Sequence, residues 1–180
     1  EALNRLFSLI DRFMADDRGQ GFQPEPIRIG AIVAEVRLHF RMTARSERLD
    51  IAVDKEDITV FADPDMIATV LINLIDNALK YSSDDEPVHV EVKKESGAMV
   101  FRVRDDGIGI PPAEQAKIGR RFFRASNTMA GTGTGLGIYT SRKLLAYHGG
   151  SLQFLFDCGR GTTVIVRVPL LGSVDRALPE

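Results

Sequence analysis

Asn73-Leu-Ile-Asp-Asn77-Ala-Leu-Lys80-Tyr81-Ser82 closes a helix, and its reading decides the fold. Ile67, Val70, Leu71, Leu74, Ile75, Ala78 and Leu79 follow the i, i+3, i+4, i+7 spacing of a buried helical face. Asn73, Asn77 and Lys80 step by four and three, so they share a separate polar stripe on the same helix. Two amides and an ammonium beside so apolar a face need partners wherever they are buried. Alone, the stripe fits a solvated edge or a ligand site. Asp63-Pro64-Asp65 supplies the start: an acidic N-cap with proline at the first helical position.

On both sides of this helix the pattern alternates between helix and strand. A helix is expected at about 30–46, with short strands around 49–54 and 58–62. Val88, Val90 and Val92 alternate with His89, Glu91 and Lys93, and Met99, Phe101 and Val103 alternate with Val100, Arg102 and Arg104. These are half-buried strands, with Ser96-Gly97 at the turn between them. A short polar helix and an Arg-, Thr- and Gly-rich loop occupy 112–134. A helix at about 135–148 then leads to strands near 151–157 and 161–168. Hairpins join strands as often as helices do. The expected fold is therefore an α/β (α+β) sandwich with a mixed, mainly antiparallel sheet covered on one face by helices.

The 180 residues are 44% hydrophobic and 27% charged, which describes a folded globular domain. The formal net charge of −2 gives no sign of nucleic-acid binding. Cys158 is the single cysteine, so an internal disulfide is excluded and a reducing, cytoplasmic setting is expected. No apolar run reaches the ~18 residues of a membrane span. Leu3, Phe7, Ile10 and Met14 carry an a/d spacing on a helix over 3–17, fitting a paired seam or a lone docked helix. Gly19, Gly21, Pro24 and Pro26 break the pattern and mark the domain boundary, and the tail from Gly172 reads as loosely ordered. Glu1 in place of a methionine suggests a fragment of a longer protein.

Three further stretches carry chemistry. Asp105 continues the inward parity of Phe101 and Val103, so its carboxylate faces the core and requires donors. Gly107 and Gly109 follow, leaving room for a flat ligand against the backbone. The alternative is an Asp that caps the turn before Pro111-Pro112. Gly131-Thr-Gly133-Thr-Gly135-Leu136-Gly137 opens directly onto a helix, which favours anion binding over a flexible linker. It is neither a P-loop nor a dinucleotide fingerprint. Lys117, Arg120, Arg121 and Arg124, interrupted by Phe122-Phe123, fit either a solvated face or a mobile lid closing over phosphate.

This order of motifs resembles the ATP-binding catalytic domain of sensor histidine kinases, within the superfamily that also holds gyrase, heat-shock chaperones and mismatch-repair ATPases. The resemblance covers about 26–170 and extends to His148-Gly149-Gly150 and Gly159-Arg-Gly161-Thr-Thr163. It implies an ATP site between helices and lid. Asn77 would be the Mg²⁺ ligand and Lys80 would reach a phosphate. Tyr81 and Ile110 would contact adenine, and Asp105 would accept from its amino group. Arg121 or Arg124 would approach the γ-phosphate while backbone amides near Thr134 to Leu136 cradle the chain.

The superfamily's hydrolases resemble one another in placing Glu four residues before the metal-binding Asn; here that position is Asn73, which cannot act as a general base. The implied activity is phosphoryl transfer to a histidine, with a GHKL-type ATPase or a nucleotide-dependent docking module as the alternatives. His39, His89 and His148 lack the acidic neighbour that commonly follows an acceptor histidine, and His148 ends a helix, where a cation suits the dipole. Residues 1–20 are accordingly expected to be the C-terminal part of a dimerisation helix, with the acceptor histidine upstream and 171–180 a tail. Implied partners are the protein's own upstream histidine-phosphotransfer helices, a second copy in a homodimer and a response regulator. Attachment to a membrane is left to regions outside this stretch.

Overall fold

The computed structural model describes residues 21–43, 45–55, 57–128, 133–156 and 161–170. The expected helix at 3–17, Gly131, Cys158, Gly159 and the tail lie outside the described residues. In chain order the elements are β1 (Glu25–Arg28), α1 (Ile29–Arg41), β2 (Leu49–Val53), β3 (Thr59–Ala62), α2 (Pro64–Tyr81), β4 (Val88–Glu95), β5 (Ala98–Asp105), α3 (Gly137–Tyr147), β6 (Ser151–Phe156) and β7 (Thr162–Pro169). A single 3₁₀ turn sits at Ser46–Arg48 and a longer 3₁₀ segment at Pro112–Lys117.

The main sheet has the order β2-β4-β5-β7-β6, antiparallel throughout except for the parallel β2–β4 pair. Period-two patterning puts Val90, Val92, Met99, Phe101, Val103, Val166 and Val168 on the covered face, where they meet the helices. On the open face Arg102 bridges Glu91 and Glu95 while Arg167 reaches Glu95, so cross-strand charge pairs meet water. Ser96 and Gly97 both take positive φ (45° and 77°), the two-residue turn whose twist suits a hairpin. The expected mixed sheet with helices on one face is the observed architecture.

Two departures have local causes. The first helix stops at Arg41, short of the expected 46, and Thr43 N–H and Oγ1 both close on the Phe40 carbonyl. The second is β1, within a region read as a breaker. Pro26 is tolerated because β1 is a short edge strand, paired only with β3 in a separate two-stranded sheet. β2 and β3, neighbours in sequence, therefore serve different sheets.

The N-terminus of α2 is a junction. Asp63 caps it, accepting from the N–H groups of Met66 (3.1 Å) and Gln23 (2.9 Å). The Asp63 N–H donates to Nε2 of His148 (2.9 Å), whose Nδ1–H donates to the Leu144 carbonyl (2.8 Å). Phe22 packs edge-on against the same ring, 4.9 Å between centroids. His148 is thus a structural histidine, although the end of α3 would suit a cation. His148 is 6% exposed, and an imidazole whose Nε2 accepts a hydrogen bond is neutral. Burial lowers its pKa below the ordinary 6.5.

A neutral folded imidazole that protonates on unfolding contributes its full stability above about pH 6.5 and loses it as pH falls. His148→Ala leaves the Asp63 N–H buried and unpaired, which costs about 2 kcal/mol and lowers the melting temperature by about 5 °C. Calorimetry from pH 5 to 8 should show that loss, together with a shallower acid-side fall for the variant than for the unaltered chain.

Candidate functional site

The C-terminal half of α2, the end of β5, the start of α3 and the segment 118–128 enclose a cavity of about 310 Å³. Because α2 buries its apolar stripe against α1, α3 and the sheet, its polar stripe turns toward α3 and into this space. Asn73, Asn77 and Lys80 all line it. A side chain at Gly137 would start 3.8 Å from Asn77 Nδ2 and 4.0 Å from Asn73 Cγ, so α3 begins directly across from both amides. The Nδ2 of Asn73 is buried without a hydrogen-bond partner, a donor that a ligand acceptor can satisfy. Lys80 Nζ lies 5.3 Å over the Tyr81 ring and 2.9 Å from where a Gly133 side chain would begin.

The helix α3 opens without a side-chain cap, leaving its first amides free, and Gly137 and Ile138 sit on the cavity wall. Free amides, the positive end of a helix dipole and Lys80 together offer the chemistry that an anion requires.

Asp105 closes another part of the wall, only 8% exposed. Its carboxylate accepts from the N–H of Gly107 (3.0 Å) and from that of Thr162. Burial nonetheless raises its pKa above the ordinary carboxylate value, so a further donor is wanted there. Gly107 itself is off the cavity wall. Its role is close approach: a Cβ there would strike the Tyr81 carbonyl, and the following N–H, that of Ile108, donates to this carbonyl (3.1 Å). Around Asp105 the wall is apolar, with Ile108, Ile110, Phe154 and Val164.

Of the other expected residues, Tyr81, Gly109, Ile110, Gly133, Thr134, Gly135 and Gly137 line the cavity, while Leu136 does not. Leu136 is the N-cap of α3, and its N–H donates to Thr134 Oγ1 (3.4 Å). The two arginines separate. Arg124 is half-buried on the cavity wall, whereas Arg121 is exposed and lies 4.8 Å over the Phe122 ring, off the wall. Phe122 holds a positive φ of 63°, and its N–H donates to the Gly135 carbonyl (3.1 Å). That approach needs glycine, since a Cβ at 135 would lie 2.7 Å from the Phe122 backbone.

Sequence reasoning missed Asn127 and quoted Thr162 only within Gly159-Arg-Gly161-Thr-Thr163, without a role. Asn127 Nδ2 donates to the carbonyl of Gly109 (3.0 Å), tying the arginine segment to the glycine turn after β5. Only the pairing of β7 with β5 brings Thr162 opposite Asp105. The described residues hold no cluster of three or more His, Cys, Asp or Glu fit for a metal. A neutral amide such as Asn77 can complete the shell of a hard ion held mainly by phosphates. The donor set fits Mg²⁺ in that shared form.

Among known proteins, the family model described as histidine kinase-, DNA gyrase B- and HSP90-like ATPase matches residues 62–172. The chain is 28% identical over 173 residues to the circadian input-output histidine kinase CikA of Synechococcus elongatus, covering 93% of this chain and 23% of that protein. It is 29% identical over 171 residues to the sensor protein SrrB of Staphylococcus aureus, covering 93% of this chain and 29% of that protein. The chain therefore spans under a third of these curated relatives. Among solved structures it superposes on the catalytic domain of histidine kinase ThkA in a nucleotide-free form. The TM-score is 0.70 at 27% identity, covering 82% of this chain and 96% of that one. Among the described residues no helix is long and apolar enough to cross a membrane.

Gly107→Ala forces the end of β5 away from Tyr81. It should lower the melting temperature by several degrees, and reverting the change should restore it, as circular dichroism can follow.

Proposed function

This chain belongs to the histidine kinase-, DNA gyrase B- and HSP90-like ATPase family, as an ATP-binding catalytic domain of the sensor histidine kinase kind, and from that premise we propose that it binds Mg-ATP and transfers the γ-phosphoryl group to a histidine outside its 180 residues. The observation that carries the reading is the convergence of Asn77, Lys80, Arg124, Asp105 and the uncapped start of α3 on one cavity. Asp105 accepts a hydrogen bond from the adenine amino group, which supplies the donor its buried carboxylate lacks. Tyr81 and Ile110 contact the base. Lys80 and the amides of Gly133, Thr134, Gly135 and Gly137 hold the phosphates, that of Leu136 joining them only by leaving Thr134 Oγ1, and Asn73 offers its free Nδ2 to them. Asn77 would hold Mg²⁺ through its amide oxygen, and the ion would supply neutralisation of the phosphate charge.

Arg124 is the favoured γ-phosphate contact because it stands on the wall, and Arg121 reaches the site only if its segment shifts. Catalysis by these residues is then positioning and charge neutralisation, the nucleophile being the ring nitrogen of the acceptor histidine outside them and ADP the leaving group. Asn73 supports transfer over hydrolysis, since no carboxylate stands four residues before Asn77 to activate water. His148 is occupied structurally at both ring nitrogens and His89 pairs with Asp50 on an exposed edge, so neither suits an acceptor.

The domain proposed to carry this activity spans 26–170, preceded by the end of a dimerisation helix in 1–20 and followed by a tail at 171–180. The full protein is proposed to act as a cytoplasmic homodimer module, attached or not to a membrane, that phosphorylates its own upstream helix and passes the group to a response regulator.

A longer chain containing the preceding helix, given Mg-ATP labelled at the γ-phosphate, should accumulate label on histidine. Nucleotide binding without labelled histidine would replace this reading with a nucleotide-dependent docking module. Asp105→Asn should weaken adenine-nucleotide binding about ten- to a hundredfold by calorimetry, through loss of a charged acceptor. Unchanged affinity would remove Asp105 from the adenine contact.

A further inference from the structure

Arg48 ends the 3₁₀ turn before β2 and lies outside the cavity, yet all three of its guanidinium nitrogens are engaged at the C-terminal end of α2. Nη1 donates to the Leu79 carbonyl (3.3 Å). Nη2 donates to Ser82 Oγ (2.5 Å), to the Ser83 carbonyl and to the Glu86 carbonyl (3.0 Å), and Nε also reaches Glu86 (3.1 Å). The side chain is 13% exposed. Its ion pair with Asp84 is secondary, since the Asp84 side chain is 96% exposed and screened by water.

The acceptors matter more than the ion pair. The last carbonyls of a helix have no intrahelical donor and carry the negative end of the dipole. Here the Leu79 carbonyl is answered by Arg48 and the Tyr81 carbonyl by the Ile108 N–H. The final turn of α2 is therefore clamped from two sides, by a cation from the β2 side and by the turn after β5. That turn presents Asn77, Lys80 and Tyr81 to the cavity, with Lys80 against the glycine loop. A planar fork with several fixed donors can span separate carbonyls in a way that an ammonium cannot.

We propose that Arg48 is a positioning residue for the phosphate end of the nucleotide site: by holding the last turn of α2 and the loop after it, it fixes Lys80 before ligand arrives. This rests on the Mg-ATP reading of the cavity. Its signature is selectivity. Asp105, which takes the adenine hydrogen bond, is anchored by Gly107 and Thr162 and does not touch Arg48, and Tyr81, the base contact on the clamped turn, keeps its own bond from the Ile108 N–H.

The test is calorimetric titration of the full chain with Mg-ATP and, separately, with adenosine. Arg48→Ala is expected to weaken ATP about tenfold and adenosine less than about threefold. Arg48→Lys should restore part of the ATP loss, and Ser82→Ala, which removes one acceptor only, should give a smaller loss of the same selectivity. These two variants carry the test if Arg48→Ala does not fold. Equal losses for both ligands, or unchanged ATP affinity in the folded variants, overturn the proposal. An unaltered chain that binds neither ligand would instead sink the Mg-ATP reading. In that case hydrogen exchange decides the anchoring, which is overturned if amides of residues 78–86 stay equally protected in Arg48→Lys.

Discussion

Everything in this molecule depends on α2 being buried nearly all round while remaining polar along one line. Eleven of its eighteen residues are buried and only Asp65 and Asp76 are exposed, so the helix has little solvent face on which to place amides and an ammonium. Asn73, Asn77 and Lys80 can be accommodated only if the neighbouring layer opens beside them. That opening is the cavity, and its other walls are what the fold brings to the same place: a strand end, a helix start and a connecting segment. The binding space is thus a packing consequence of the central helix rather than a cleft between separate units.

The charges around that space are arranged in opposition. Asp105 is a carboxylate held in an apolar corner, raised in pKa by burial and left short of donors. Lys80 and the uncapped amides of α3 are donors left short of acceptors. A ligand with an amine at one end and anionic oxygens at the other relieves both, and a nucleotide is such a molecule. The site as it stands is a set of unmet electrostatic demands held in place by an apolar frame, which is the form preorganisation takes in phosphoryl transfer.

What could be read from sequence was what local pattern encodes. The apolar stripe of α2, the Asp63 cap, the inward parity of Asp105 and the Ser96-Gly97 turn all follow from periods of 3.6 or 2 and from turn chemistry. What could not be read depends on partners distant in the chain. β1 looked like a breaker because Pro26 forbids a central strand but not a short edge. That His148 is neutral was not legible because the helix dipole is local, whereas the Asp63 N–H that claims its Nε2 is 85 residues away. Arg48 and Asn127 carry no motif at all, and Thr162 stands in one that gives it no role. Their places follow only from which elements the fold sets side by side.

The backbone at Phe122 adds a further consequence. A bulky residue in the left-handed region costs about 1–2 kcal/mol, and here it is held by one hydrogen bond to Gly135, within the loop that borders the anion site. The two segments are therefore latched to each other in a strained pose. Any rearrangement of the glycine loop around a phosphate chain trades away that bond and releases the strain in the same event. Separation of the two segments and relaxation of Phe122 are then one coupled event rather than two independent ones.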